Sequence, residues 1–488
     1  MPIYPGDERA SCDNPAAARM NDLLWILLGI AHVAAAAKVT GHALLTKEDS
    51  RGAVAWIGIA WLSPLIGSAL YGAFGINRIA RKAGQLSYLY RPGRPAPEPG
   101  AGPEPEVPVN VGWIAEVGRR VTGRRLTAGN AVQPLATGDA AAHAMLEAIG
   151  QARESVALAS YIFQDDRTGR AFANALAAAQ DRGVSVRVLI DGVGGGYLSY
   201  PMVKRLRRMG VPVASFLHFW LPWRMSFLNL RNHKKLLIVD GRRAFTGGMN
   251  IADDTMAEPP QIRDTHAALT GPAVRHLMES FADDWSFTTG EILSDDRWWP
   301  ELPLAGRVAA RGITSGPDED MGSLETLLGT ALVEARRRIR IVTPYFLPDR
   351  HLQMALSVAV LRRVEVEIVI PEHTNKRLVD WAVRANLGML AGASYTVFLA
   401  PEPFDHSKLM TVDGALCLIG SSNWDVRSHR LNFELDLETY DTELTAEVDR
   451  LIDDKIAAAR RLDTSRLADR PKWQQLRDAG ARLFLPYL

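Results

Sequence analysis

The chain has 488 residues, with 56 lysines and arginines against 55 aspartates and glutamates. That length has room for two or three domains, and the near-balance of charge offers no global basic field of the kind nucleic-acid binders carry. The two cysteines, Cys12 and Cys417, lie far apart, which excludes a disulfide framework or a cysteine metal cluster and fits a reducing compartment.

Residues 1–20 read as a polar lead. Leu23 to Ala37 is apolar and uncharged, too short to span a bilayer unless it continues past Lys38 to Leu45. Ala53 to Ile76 is a longer uncharged run carrying Trp56, Trp61 and Tyr71. At about 1.5 Å per residue it reaches across a ~30 Å hydrocarbon core, and Pro64 is tolerable in a membrane helix. A cleaved signal peptide and a buried core helix are the plainer readings of the two runs. The second run following so closely argues against the first, and its length without charge against the second. Arg78, Arg81, Lys82, Arg91 and Arg94 follow, against Lys47 and Arg51 between the runs. This bias places everything after residue 77 in the cytoplasm, and a two-helix hairpin would place the N-terminus there too. Arg91 to Pro108 is rich in proline and glycine and reads as a semi-extended linker after an anchor over 1–90.

From about residue 130 the pattern is α/β. Asp139 is expected to cap a helix through Ala152, followed by a strand over Val156–Phe163, a helix over Gly169–Arg182 and a strand over Val184–Ile190. The second half echoes this: a helix to about Arg338, a strand over Ile339–Phe346, a helix over Arg350–Arg362 and a strand over Val364–Ile370. Tyr161 and Tyr345 fall at matching places. Alternating strands and helices imply a sheet covered on both faces. No Gly-rich phosphate loop or dinucleotide fingerprint is present, so neither ATP nor NAD is indicated. Leu217 to Asn229 gathers Phe219, Trp220, Trp223, Arg224 and Phe227, either ordinary core or an amphipathic lip that touches lipid.

The chemistry is carried by a repeat. Arg231-Asn-His-Lys-Lys-Leu-Leu-Ile-Val-Asp240 is followed by Gly247-Gly-Met-Asn250, and Asp405-His-Ser-Lys-Leu-Met-Thr-Val-Asp413 by Gly420-Ser-Ser-Asn423. His233 and His406, Lys235 and Lys408, Asp240 and Asp413, and Asn250 and Asn423 all recur at one constant offset. One His-x-Lys-x4-Asp is weak, but two copies with the same tail mark a duplicated site. In a strand, residues i and i+2 share a face, so each histidine projects with its lysine. An imidazole beside an ammonium suits a phosphoryl centre, and two copies place histidines on opposite sides of one phosphorus, one as nucleophile and one as acid/base. Asp264, in Arg263-Asp-Thr-His, and Glu434, in Leu431-Asn-Phe-Glu, are positional candidates for orienting the histidines. A metal site fares poorly, since a lysine between the ligands repels a cation.

These motifs resemble the phospholipase D superfamily, and bacterial cardiolipin synthases more closely than the superfamily at large. The resemblance includes Asn229-Leu-Arg-Asn-His-Lys-Lys, Phe245-Thr-Gly-Gly-Met-Asn-Ile-Ala-Asp, Gly271-Pro-Ala-Val, Ser315-Gly-Pro-Asp, Gly420-Ser-Ser-Asn-Trp-Asp-Val-Arg-Ser and the C-terminal Arg482-Leu-Phe-Leu-Pro-Tyr-Leu. It extends to the anchor, Ala55-Trp through Tyr71-Gly-Ala-Phe-Gly-Ile-Asn-Arg. It implies an α/β fold of two pseudo-symmetric phospholipase D-like domains, 109–312 and 313–488, each a mixed sheet flanked by helices, behind a transmembrane helical hairpin. The implied location is a bacterial inner membrane, multi-pass, with the catalytic domains cytoplasmic. The implied activity is transfer of a phosphatidyl group from one phosphatidylglycerol to another through a phosphohistidine, without metal, nucleotide or nucleic acid. Within it His233 is the nucleophile and His406 the acid/base. Lys235, Lys408, Asn250 and Asn423 bind phosphoryl oxygens, Asp264 and Glu434 orient the histidines, and Asp240 and Asp413 complete the catalytic motifs while supporting local structure. His429 and Trp424 depart from the family pattern and bear on the acceptor pocket. The competing readings are a phospholipase D that hydrolyses phospholipids to phosphatidic acid, and an inactive lipid-binding scaffold. Oligomeric state is open.

Overall fold

The first apolar run winds into one long helix, α1 (Pro15–Thr46). In this computed structural model, residues 15–47, 50–75, 105–196, 199–217, 230–256, 261–317, 320–389, 395–463 and 469–483 are described. The chain divides into two units, Met1–Arg81 and Lys82–Leu488. Among the described residues, Leu23–Thr46 of α1 is the one helix long and apolar enough to cross a membrane by length and composition. The segment 218–229, the linker up to residue 104, and the basic residues between 78 and 94 lie outside the described residues.

The second apolar run does not form the expected continuous crossing helix. It makes α2 (Ser50–Leu62), then breaks at Ser63, Pro64 and Leu65 before the short α3 (Ile66–Leu70) and a π-helical turn, Tyr71–Gly75. Pro64 brings no N–H and fixes its own φ, and Leu65 sits at φ 59°, so the helix cannot run on. The chain doubles back instead. A Cβ on Gly67 would lie 2.1 Å from the Ile59 carbonyl oxygen, and the rings of Trp56 and Tyr71 are 5.4 Å apart. The turn's open backbone groups are met by α1: His32 Nε2 lies 3.3 Å from the Trp61 carbonyl and the Leu65 N–H points at His32 Nδ1 across 3.4 Å. Trp61 Nε1 donates to Thr40 at 3.0 Å and Tyr71 pairs with His42 at 2.7 Å. With 13 residues, α2 is about 20 Å long, short of a full crossing.

In the second unit the first half supplies strands β1 (Thr127–Leu135), β2 (Ser155–Ser160), β3 (Ser185–Asp191), β4 (Val213–Phe216), β5 (Arg231–Asn232), β6 (Leu236–Val239), β7 (Arg243–Gly247), β8 (Ile262–Arg263) and β9 (His266–Thr270). The second supplies β10 (Val308–Ser315), β11 (Arg338–Val342), β12 (Phe346–Leu347), β13 (Glu365–Pro371), β14 (Thr396–Ala400), β15 (Phe404–Asp405), β16 (Leu409–Val412), β17 (Leu416–Gly420), β18 (Trp424–Asp425), β19 (Asn432–Tyr440) and β20 (Arg460–Arg461). The spatial order β4-β3-β2-β6-β7-β9-β1 is repeated as β14-β13-β11-β16-β17-β19-β10, and β1 pairs with β10 so that both halves form one sheet. In each half the outer three strands are parallel and the rest antiparallel. This is the expected mixed sheet, duplicated strand for strand. The division expected at 312/313 falls inside β10.

Helices cover the faces. Leu236, Leu269 and Phe281 of the first half pack in one core with Leu409, Leu435 and Val448 of the second. Burying that apolar surface in common is the main force joining the halves. Element positions follow the sequence reading with small corrections. Thr137 rather than Asp139 caps the helix Gly138–Gln151, its side chain accepting from Ala140 N–H at 3.1 Å. The helix expected to reach Arg338 is Ser323–Glu334, and Arg338 already begins β11.

Candidate active site

Each motif begins with a two-residue strand that leaves its own half. β5 runs parallel to the start of β19, and β15 runs parallel to β8. The exchange continues one residue further. His233 N–H donates to the Phe433 carbonyl and His406 N–H to the Arg263 carbonyl, both at 2.8 Å. Each histidine is thus pinned by its backbone to the opposite half, beside the residue that precedes a carboxylate.

The carboxylates complete the crossing. Glu434 Oε2 lies 2.9 Å from His233 Nδ1, and Asp264 Oδ2 lies 2.8 Å from His406 Nδ1. The sequence reading named both acids but left their pairing open; each serves the histidine of the other half. A carboxylate on Nδ1 fixes that nitrogen as the donor and leaves the Nε2 lone pair for chemistry. Glu434 is itself held by Ser421 Oγ at 2.6 Å and Asn432 Nδ2 at 3.0 Å. Thr265 N–H holds Asp264 Oδ1 at 2.8 Å.

Lysines flank both rings on the expected i+2 spacing. Lys235 Nζ donates to the His233 carbonyl at 2.7 Å and Lys408 Nζ to the His406 carbonyl at 2.5 Å. All four residues are nearly closed off, from 2% exposed at Lys235 to 9% at His406. Burial, with the neighbouring ammonium groups adding to it, lowers both histidines to about 4, outweighing the carboxylates beside them. Burial brings Lys235 to about 7 and Lys408 to about 8. Glu434 is held at about 2: burial pulls the other way, but His233, its hydrogen bond and Lys235 overcome it. Near neutral pH the positive charge here is therefore carried by the lysines rather than the histidines, and an anionic phosphodiester would raise the pKa of all four groups.

Asp240 and Asp413 do not join this group. Seven residues along a strand at about 3.3 Å each carry them to the far end of β6 and β16. Asp240, at φ 53°, accepts from the N–H groups of Arg153, Glu154 and Ser155, and Asp413, at φ 52°, from those of Arg336, Arg337 and Arg338. They clamp the starts of β2 and β11, so their placement in a catalytic set is corrected to a structural one. Asn250 Oδ1 accepts from Ile162 N–H at 3.3 Å. Asn423 is buried, and its Oδ1 has no hydrogen-bond partner among the described residues, as suits a group kept for a ligand.

Tyr161 and Tyr345, marked in the sequence only as matching positions of the two halves, lie beside the site. Tyr161 lies against His233 with ring centres 4.9 Å apart, and Lys235 Nζ is 5.3 Å from the Tyr161 ring. Tyr345 reaches His406 through Phe404, in steps of 6.2 and 6.0 Å. Buried ion pairs brace the two motifs with reversed polarity: Lys234 to Asp284 at 2.9 Å in the first half, Asp405 to Lys455 at 2.5 Å in the second. His429 is buried with neither ring nitrogen hydrogen-bonded among the described residues, and Trp424 packs on Phe346.

One sheet built from two like halves, with a crossed pair of histidines and two lysines where the halves meet, is the architecture of a phospholipase D-type phosphotransfer enzyme. The family model described as "Cardiolipin synthase, PLD-like domain" matches residues 145–285 and 328–456, and the chain belongs to that family. It is 31% identical to cardiolipin synthase A of Pseudomonas putida (strain GB-1), over 95% of this chain and 98% of that one. It is 29% identical to a cardiolipin synthase of Geobacillus kaustophilus (strain HTA426), over 95% and 94%. The crystal structure of phosphatidylserine synthase from Haemophilus influenzae Rd KW20 superposes with TM-score 0.62 at 16% identity, covering 77% of this chain and 100% of that one; that likeness is of fold alone.

Proposed function

We propose that the chain is a cardiolipin synthase that moves a phosphatidyl group from one phosphatidylglycerol to another through a phosphatidyl-histidine. The observation that carries this reading is the crossed His233–Glu434 and His406–Asp264 pairing with a lysine beside each ring. In the first step His233 Nε2 attacks the donor phosphorus. The bond from phosphorus to the headgroup glycerol oxygen breaks, and His406 gives that oxygen its proton. In the second step His406, now a base, takes the proton from a headgroup hydroxyl of the second phosphatidylglycerol. That oxygen attacks phosphorus, the N–P bond breaks, and both histidines return to their starting state. Lys235, Lys408, Asn250 and Asn423 hold the phosphoryl oxygens as charge builds on them. Glu434 and Asp264 keep each ring oriented and stabilise it when cationic.

The long apolar α1 supports a membrane location, and we assign this chemistry to a bacterial inner membrane, where both lipids would reside. We assign α1 as the crossing and the doubled-back α2–α3 as a re-entrant pair, with His32 satisfying backbone that hydrocarbon would otherwise leave open. The arginines and Lys82 after residue 77 then set the catalytic unit in the cytoplasm. The test is purified protein with phosphatidylglycerol, read by lipid mass spectrometry. Cardiolipin plus glycerol is expected; phosphatidic acid alone would assign a hydrolase, and no turnover a scaffold.

A further inference from the structure

Two helices of the second half carry more apolar surface than the fold covers. In Arg377–Met389, Val379, Ala382, Val383 and Leu387 are buried at helical spacing and join the core. Leu378 lies off that stripe and is 49% exposed. The helix Lys472–Arg482 packs against this one and buries Asp478 and Ala481. Its opposite face turns out Trp473 and Leu476, 62% and 73% exposed. Arg477 joins the two helices: its guanidinium carbon lies 4.5 Å from the centre of the Trp381 ring and 5.4 Å from that of Trp473, within reach of a cation–π contact to each. Residues three apart on a helix are neighbours, so Leu378 continues into Trp381 and Trp473 into Leu476. The four make one patch.

Cations rim it. Lys376, Arg377 and Lys472 are all exposed. The acids of both helices are engaged: Asp478 is fully buried against Arg470 at 2.5 Å and Arg477 at 2.7 Å, and Asp380 accepts from the Thr374 N–H at 2.8 Å. Asp469, just ahead of the second helix, is exposed as a lone counter-charge beside the three. Tryptophan and leucine flanked by lysine and arginine suit the boundary of a bilayer, and the surplus of positive charge suits an anionic one.

The patch begins beside the active site. Asn375, two residues before the first helix, accepts from Tyr345 OH at 2.6 Å, and Lys376 Nζ is 6.0 Å from the Tyr345 ring. From Tyr345 the rings of Phe404 and His406 follow in steps of 6.2 and 6.0 Å. We propose that Leu378, Trp381, Trp473 and Leu476, with Lys376, Arg377 and Lys472 around them, form a membrane contact of the catalytic unit itself, which lies on an anionic lipid surface next to the His406 half-site. That this contact delivers substrate rests on the transfer reaction proposed above; the contact does not.

The test uses the full-length chain in phosphatidylcholine vesicles with and without phosphatidylglycerol. Leu476→Cys, in a Cys12→Ser background with Cys417 buried, carries a bimane label. Leu361→Cys, 83% exposed at the C-terminal end of the helix Arg350–Leu361, carries it as the control. Nitroxide-bearing lipids should quench the label at 476 several-fold more than at 361, and more strongly with phosphatidylglycerol present. Equal quenching at both positions, or none at 476, overturns the contact. Emission at 476 that follows protein density and ignores the nitroxide assigns the patch to a second copy instead. Trp473→Ala and Lys472→Glu should lower kcat/KM for vesicle phosphatidylglycerol roughly tenfold and change it by less than about twofold for dihexanoyl phosphatidylglycerol dissolved below its micelle concentration. Equal loss on both substrates overturns the delivery role. Wild-type protein quenched at 476 that makes no cardiolipin from either substrate would sink the transfer reading and leave the contact standing.

Discussion

Asp264→Asn tests the crossed pairing with the least change in shape. Thr265 N–H donates to Asp264 Oδ1 at 2.8 Å, so the asparagine oxygen must stay at that position. Its NH2 then takes the place of Oδ2, which lies 2.8 Å from His406 Nδ1. A tight wall prevents relief: a Cβ on Gly248 would already sit 2.2 Å from Oδ1. The amide therefore donates to Nδ1 and forces the imidazole proton onto Nε2, the wrong tautomer for a base. Losing the charge-assisted hydrogen bond alone is worth about 1.5–3 kcal/mol, or about 10–100-fold in rate. The wrong tautomer extends this toward the ~10⁴-fold seen when a serine protease triad is altered in the same way. Cardiolipin formation should thus fall by about 10²–10⁴-fold with thermal stability little changed. The assay adds a donor carrying p-nitrophenol as leaving group, which needs no proton from His406. On that donor Asp264→Asn and His406→Ala should still release a burst of one p-nitrophenol per enzyme, and His233→Ala none. A rate within threefold of wild type on phosphatidylglycerol would refute the crossed pairing as functional, and a burst in His233→Ala would refute the assignment of roles.

The lysines set a basic limb. Held at about 7 and about 8 by burial, Lys235 and Lys408 are charged below those values and lose their protons above them. kcat/KM for phosphatidylglycerol, which reports the free enzyme, should therefore fall as pH rises from 7 to 9. Lys235→Arg should remove the earlier of the two steps, and an identical limb in that variant would rule the lysine out as its source. Asp413→Ala strips the acceptor from three backbone N–H groups and should cost about 2–4 kcal/mol in denaturant unfolding, with activity per folded molecule nearly kept. A large loss of activity at unchanged stability would return Asp413 to the chemistry. Reporters fused at residue 1 and after Leu488 should appear on opposite sides of the membrane; both on one side would mean that the second apolar run crosses.

The repeat was legible because the histidine, lysine, aspartate and asparagine of the two copies recur at a constant offset, and strand periodicity alone put each lysine beside its histidine. The alternating order of the sheet followed from local pattern in the same way. The crossed pairing was not legible. It depends on β5, β8 and β15, strands of two residues that carry no periodicity and find their partners only across the interface. Asp240 and Asp413 read in the sequence as motif members that also support local structure, and the geometry keeps only the second role, because an extended strand carries them away from the histidines to the far end of β6 and β16. In the anchor, Pro64 is compatible with either a kinked span or a break, and what decides is His32, distant in sequence, meeting the turn's backbone. The roles of Tyr161 and Ser421, and the reversed Lys234–Asp284 and Asp405–Lys455 pairs, were equally hidden, since each takes its role from a neighbour in space.

The central claim is that two half-sites share one phosphorus, with His233 carrying it. Rapid quench into base of wild-type and His406→Ala protein mixed with phosphatidylglycerol, followed by proteolysis and mass spectrometry, tests this directly. A phosphatidyl adduct on the peptide containing His233, absent in His233→Ala, is the predicted result. An adduct on the peptide containing His406, or turnover to cardiolipin in either histidine variant at near wild-type rate, would contradict it.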